Sequence, residues 1–316
     1  MIPLAEIEAA RERIAGLVTR TPLLRLPGDE WPCEIWLKLE CLQPIGSFKL
    51  RGAGNAVRTA APETVARGLW TTSAGNMAQG VAWMARELGV EATIVVPDHA
   101  PPTKLDAIAR LGGRSIPVPF ARWWEAMETG TFPGLDGHFV HPVRDPAVMA
   151  GNGTIGLEIA EQLDDVDAVL IPWGGGGLTT GIASALAAVS PSTRVYACEP
   201  ETGAPVSAAL AAGAAVEVEY RPSFVDGAGS KGLLPDMWEL ARPLITGAFV
   251  VSIADAAAAV RLLVERARVI AEGAGALPVA AALQGAAGPG RIVCVVSGGN
   301  IDAGRLASIL VGDVPD

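Results

Sequence analysis

Hydrophobic positions along the chain follow two periods. In "MIPLAEIEAARERIAGLVTRTPL", Ile7, Ile14 and Leu17 recur at helical spacing among Glu6, Glu8, Arg11, Glu12 and Arg13, which predicts an amphipathic helix and not a signal peptide. From about residue 70 onward, short β-branched runs alternate with helical patterns. "EATIVVP" predicts a strand, "PTKLDAIARLG" a helix and "RSIPVP" the next strand. Later, "DAVLIP" precedes a glycine run and the helical "LTTGIASALAAVS", then the strand "TRVYACEP"; near the end "RIVCVVSGGN" leads into "IDAGRLASIL". An alanine-heavy stretch from Ala254 to Ala287 keeps helical spacing. Alternation of this kind implies parallel sheets covered by helices on both faces, an α/β fold. At 316 residues, two such sheets fit better than one. The Gly- and Pro-rich "GTFPGLDGHFVHPVRDP" is the predicted crossing between domains.

Charge and cysteine usage narrow the function. With 24 Lys plus Arg against 34 Asp plus Glu, the net charge of −10 argues against nucleic-acid or anionic-membrane partners. Every long apolar region is too short or too interrupted to span a bilayer. Cys33, Cys41, Cys198 and Cys294 form no CxxC pair, so they predict reduced thiols of a cytoplasmic protein, and no zinc site is expected.

In open parallel sheets, ligands collect beyond the carboxyl ends of strands, so the loops there carry the candidate chemistry. In "SAGNMAQG", the small residues Ser73, Ala74, Gly75 and Asn76 precede a helix beginning near Met77. They fit either an ordinary cap by Ser73 or Asn76 or free amides for a carboxylate. In "WGGGGL", Gly174, Gly175, Gly176 and Gly177 forfeit much conformational entropy on ordering, which favours a phosphate cradle over a plain turn. The dinucleotide fingerprint fails at its third glycine, where Thr179 and Thr180 stand, and no GK[ST] follows. Ser297 in "SGGN" caps a helix after Asn300 or offers a hydroxyl to a ligand, and Glu272 in "EGAGA" is expected to bond backbone amides on a buried helix turn. In "QPIGSFKLRGAGNAV", Lys49 stands between Phe48 and Leu50 in a glycine-bounded segment. There it is either a stem on the core with its head in water or an amine desolvated for chemistry.

Taken together, "GSFKLRGA", "SAGN.AQG", "GGGGL", "EGAGA" and "SGGN", in this order from about Thr21 to Asn300, resemble the fold type II pyridoxal-phosphate enzymes. By motif the sequence is most similar to their serine and threonine dehydratases. The resemblance implies pyridoxal 5'-phosphate as cofactor, with Lys49 as the catalytic lysine that forms the Schiff base. It implies further that Phe48 packs near the ring, Asn76 bonds its phenolic oxygen, and the amides of Gly174 to Leu178 hold the phosphate. On the same resemblance Ser297 is expected to face the pyridine nitrogen and Glu272 to belong to the cofactor site, and Ser73, Ala74, Gly75, Asn76 and Gln79 are expected to bind the substrate. A hydroxyl at the ring nitrogen, unlike a carboxylate, gives no charge to keep it protonated, which favours loss of a β leaving group over transamination.

Departures from the family pattern shape the expectation. Met77 stands where the family commonly has His. Ala74 replaces the second acid/base serine of related racemases, and Pro205 stands six positions after Glu199 where those racemases have a cation-binding acid, so no metal site is expected. The chain ends at Asp316, short of the regulatory domain of allosteric threonine dehydratases. Trp123 and Trp124 in "RWWEAM" fit packing or a subunit contact, with a pocket for a bulky β-substituent as the alternative.

The expected protein is a lyase of two domains, with residues 1–67 and 141–316 forming the larger, cofactor-binding one and 68–140 a small mobile one. Its expected reaction is dehydration and deamination of a β-hydroxy amino acid, L-threonine, L-serine or a bulkier analogue, to a 2-oxo acid and ammonia. A homodimer is expected. The rivals are a racemase, a β-replacement synthase and a non-catalytic cofactor-binding protein, with a nicotinamide-dependent dehydrogenase as the remote alternative.

Overall fold

The computed structural model describes residues 1–28 and 30–315; Asp29 and Asp316, the last residue of the expected larger domain, lie outside the described residues. Ten strands are laid down among the described residues: β1 (Leu23–Arg25), β2 (Glu34–Lys38), β3 (Leu69–Thr71), β4 (Ala92–Pro97), β5 (Arg114–Val118), β6 (His138–Phe139), β7 (Ala168–Pro172), β8 (Arg194–Pro200), β9 (Gly247–Val251) and β10 (Arg291–Val295). They form two sheets, one ordered β1-β2-β10-β7-β8-β9 and the other β5-β4-β3-β6. Every pairing is parallel except β1 with β2, in agreement with the α/β fold expected. All five residues of β7 are buried, as a strand covered on both faces requires. No helix among the described residues is long and apolar enough to cross a membrane.

The amphipathic amino-terminal pattern becomes a helix over Leu4–Ile14, with Ile7, Ala10 and Ile14 buried. The alanine-heavy stretch is not one helix. It breaks into Ile253–Leu262, a π-helical turn ending at Arg268 with φ 58°, and Gly273–Leu283. A left-handed residue cannot continue a right-handed helix, and helical spacing alone does not reveal it.

Three helices stacked through glycine fix the geometry of the cleft. Helix Pro146–Gln162 lies between helix Lys49–Thr59 and helix Gly177–Val189. A Cβ on Gly151 would come within 2.4 Å of the Arg51 carbonyl oxygen, and one on Gly181 within 2.3 Å of the Met149 carbonyl oxygen. Backbones therefore touch at both interfaces, and the segments bearing Lys49 and the glycine run share one rigid spacer.

Two residues past Lys49, Arg51 enters a buried ionic network that the sequence did not announce. The Arg51 guanidinium donates to both oxygens of Glu40 at 2.8 Å, and to Glu158 at 2.7 and 3.0 Å. Lys38 Nζ donates to Glu158 at 2.5 Å and to the Thr21 carbonyl at 2.8 Å. Two cations thus face two carboxylates out of solvent, an arrangement tolerable only because each charge is paired and hydrogen-bonded.

Candidate active site

The site is assembled from loops that follow strands, and its position follows from the parallel topology. After β3 comes Ser73–Asn76, after β6 comes Pro142, after β7 the glycine run, and after β10 comes Ser297; together with Lys49 they line one cavity of about 500 Å³. Two pairings seat Lys49. The Phe48 amide donates to the Ser297 carbonyl at 3.0 Å and the Gly299 amide to the Gly46 carbonyl at 2.9 Å, so the turn before Lys49 is stitched to the end of β10.

The residues expected to bind cofactor and substrate all line this cavity: Phe48 and Lys49, Ser73 to Asn76 with Gln79, Gly174 to Leu178, Glu272 and Ser297. Lys49 Nζ donates to the Pro142 carbonyl at 2.8 Å and lies 5.1 Å from the centre of the Phe48 ring. Burial pulls its amine down to about 8, with Glu272 opposing the shift. The neutral, nucleophilic form is therefore accessible near physiological pH.

Glu272 corrects one expectation. Its carboxylate accepts from Asn76 Nδ2 at 2.9 and 3.2 Å, and among the described residues no backbone amide donates to it. It stands at the start of helix Gly273–Leu283 without capping it. Burial pushes its carboxyl up to about 7, with the bond from Asn76 opposing and Asp226 adding to the rise. Asn300 Nδ2 donates to Asn76 Oδ1 at 2.8 Å, so the Asn76 amide is held from both ends.

The capping alternatives also resolve. Helix Asn76–Leu88 starts after Gly75 with no side-chain cap; Ser73 Oγ instead accepts from the Gly75 amide at 3.2 Å. Ser297 caps nothing, because the next helix, Ala303–Val311, is capped by Asp302. Glu199 lies outside the cavity and accepts from the amides of Val206 and Ser207 at 2.8 and 2.9 Å, a backbone role.

The glycine run fits a phosphate. Among the described residues no acceptor receives the amides of Gly174, Gly175, Gly176, Gly177 and Leu178, which sit at the amino end of helix Gly177–Val189. Gly176 has φ 93°, a left-handed conformation open to glycine. Unfilled amides plus the positive end of a helix dipole make a ready anion site. An amine-bearing lysine, an anion cradle and a neutral hydroxyl at Ser297 around one cavity suit pyridoxal phosphate.

Sequence reasoning did not name other cavity residues. Pro142 and Val143 fell in the segment read as a crossing, His99, Lys104, Tyr220 and Asp226 carried no motif, and Asn300 closed the "SGGN" motif without a role of its own. Lys104 and Asp226 pair at 2.8 Å across the rim. Of the tryptophan pair, Trp123 lines the cavity while Trp124 turns outward, 41% exposed.

Residues 14–298 match the family described as "Pyridoxal-phosphate dependent enzyme". The chain is 39% identical to the L-threonine ammonia-lyase of Thermotoga maritima, covering 98% of this chain and 78% of that protein. The solved T.th. threonine deaminase superposes with TM-score 0.83 at 36% identity, covering 95% of this chain and 98% of that one. Maize serine racemase superposes with TM-score 0.86 at 32% identity over 98% and 96% of the two chains. With its cavity, its cradle of unpaired amides and this match running through nearly its whole length, the chain belongs to the pyridoxal-phosphate dependent enzyme family.

Proposed function

We propose that this enzyme is an ammonia-lyase acting on a small β-hydroxy amino acid, L-threonine or L-serine, to release the 2-oxo acid, water having been lost from the β carbon, and ammonia. The observation that carries the reading is Lys49: an amine drawn down to about 8 by burial, in the same cavity as the glycine run and its amides. The names borne by the threonine ammonia-lyase and deaminase relatives support the substrate class.

When bound, pyridoxal phosphate supplies an electron sink that acidifies the α C–H of the amino acid. Lys49 first holds the cofactor and then, as a free amine, takes the α proton as general base. The amides of Gly174 to Leu178 hold the phosphate. Asn76, fixed by Glu272 and Asn300, offers its side-chain amide to the ring's phenolic oxygen, and Ser297 offers a hydroxyl to the ring nitrogen. Amides of the Ser73–Asn76 loop, with Gln79 nearby, receive the substrate carboxylate. Ala74 brings a methyl group to the loop, so one base serves one face of the α carbon and racemisation is disfavoured.

Residues 68–140 act as a small unit closing on the remainder, supported by the second sheet lying wholly between Leu69 and Phe139 and by the Lys104–Asp226 pair at the rim. Four unpaired cysteines support a cytoplasmic setting. The reading includes a homodimer, which sedimentation equilibrium tests.

The deciding measurement is 2-oxo acid release by the purified protein with pyridoxal phosphate, across L- and D-serine, L- and D-threonine, phenylserine and hydroxyaspartate. Turnover of L-threonine or L-serine is the expected result. Silence on both with turnover of phenylserine shifts the substrate to a bulkier class and makes Met77 and Trp123 specificity residues; inversion of recovered substrate without oxo acid overturns the lyase reading.

A further inference from the structure

Four consecutive residues just past β6, His141 to Arg144, meet both Lys49 and the glycine run. The His141 Nδ1 accepts from the Val143 amide at 3.0 Å and from the Arg144 amide at 2.9 Å, closing a turn on itself. The carbonyl of Pro142, at the centre of that turn, takes the bond from Lys49 Nζ at 2.8 Å. Val143 backs the glycine run: a Cβ on Gly175 would come within 2.5 Å of Val143 Cγ2, and one on Gly177 within 2.9 Å of the Val143 carbonyl oxygen. Arg144 then pairs with Asp236 at 3.1 Å and Glu128 at 3.2 Å, anchoring the far end.

We propose that His141 is a positioning residue: its Nδ1 acceptor closes the turn that sets the Pro142 carbonyl against Lys49 and Val143 against the glycine run, and so fixes the separation between the amine and the phosphate cradle. His141 is not among the residues lining the cavity. A ring nitrogen that accepts from two amides carries no proton, which puts the proton of the neutral ring on Nε2. Burial, Arg144 and Lys49 together push the imidazole down to about 4 against the pull of Asp236, which keeps Nδ1 free to accept at neutral pH. The ring also meets Phe139 edge-on, with centroids 5.8 Å apart, so its plane is set by packing as well as by the turn.

The inference rests on Lys49 and the glycine run holding the cofactor, and the controls separate the two. In asparagine the side-chain oxygen occupies the place of the imidazole Nδ1 along the side chain and can accept the same two amides, as in an Asx turn. Phenylalanine keeps the ring against Phe139 and removes the acceptor. The dissociation constant for pyridoxal phosphate is measured for the full chain and for His141→Asn, His141→Phe and Lys49→Ala, together with the pH midpoint of the bound-cofactor absorbance. Two lost hydrogen bonds predict binding about tenfold weaker or more for His141→Phe. Its midpoint is displaced, whereas His141→Asn stays near wild type in both readings. Wild-type behaviour of His141→Phe, or an equal loss in both variants, overturns the inference. If His141→Phe does not fold, His141→Asn decides alone, with loss of affinity overturning the inference. Undiminished binding by Lys49→Ala instead overturns the reading of the site on which it rests.

Discussion

Asn76 and Glu272 stand 196 residues apart in the chain, and Asn76 Nδ2 donates to both oxygens of the Glu272 carboxylate at 2.9 and 3.2 Å. The bond joins the loop after β3 of the smaller sheet to a helix start beside the larger one. It holds a carboxyl group where burial favours the neutral form.

That burial has a measurable pH signature. The Glu272 carboxyl rises from an ordinary 4.5 to about 7, so between those values the folded protein holds a proton that the unfolded chain has released. Its stabilising contribution is present in full below about 4.5 and is lost as pH rises through about 7, by on the order of 3 kcal/mol. Urea unfolding of the cofactor-free protein from pH 4 to 8 should show wild-type stability falling across that window relative to Glu272→Gln. A difference that stays constant with pH would falsify the assignment.

Capture of the cofactor should follow the state of Lys49. Only the free amine attacks an aldehyde, and the amine titrates near 8. The rate of absorbance change on mixing cofactor-free protein with pyridoxal phosphate is therefore expected to rise about tenfold per pH unit below that value and to level off above it. Lys49→Ala should show no such phase and no 2-oxo acid formation.

The glycine run allows a test by rescue. In Gly175→Ala the new methyl meets Val143 Cγ2 and Cγ1 at 2.5 and 2.8 Å, a collision with a side chain. Overpacking of this size should weaken pyridoxal phosphate binding about tenfold, and adding Val143→Ala should restore most of it. In Gly177→Ala the obstacle is the Val143 carbonyl oxygen at 2.9 Å, which no side-chain truncation removes, so Val143→Ala should not rescue that variant.

The ionic network around Arg51 should be costly to break. Arg51→Leu leaves Glu40 and Glu158 with Lys38 as their only cation among the described residues, both carboxylates remaining buried. Loss of one partner from such a cluster costs about 3–5 kcal/mol, to be read as a lower urea midpoint. A change under about 1 kcal/mol, the size of an exposed pair, would show that water reaches the network.

Much of the fold was legible because its signals are local. Parallel strands buried on both faces read as β-branched runs, as "DAVLIP" does for β7, and the helices between them keep their period. The five motifs were legible for the same reason, since a lysine after a turn and a glycine run before a helix are neighbours in sequence. The partner of Glu272 was not legible because it lies in a different sheet's loop, and the two amides bonded to His141 Nδ1 were not, because an acceptor toward its own turn leaves no pattern.

The sequence by itself determined the alternation of strands and helices and the order of the site loops, each a property of a few adjacent residues. Tertiary structure alone decided that Lys49 meets the Pro142 carbonyl 93 residues away, that Asn76 and not a backbone amide faces Glu272, and that Trp123 reaches the cavity while Trp124 does not. The physical reason is that pairing and desolvation depend on what packing brings together: burial moves an amine to about 8 and a carboxyl to about 7, and burial is a property of the folded molecule and not of a segment.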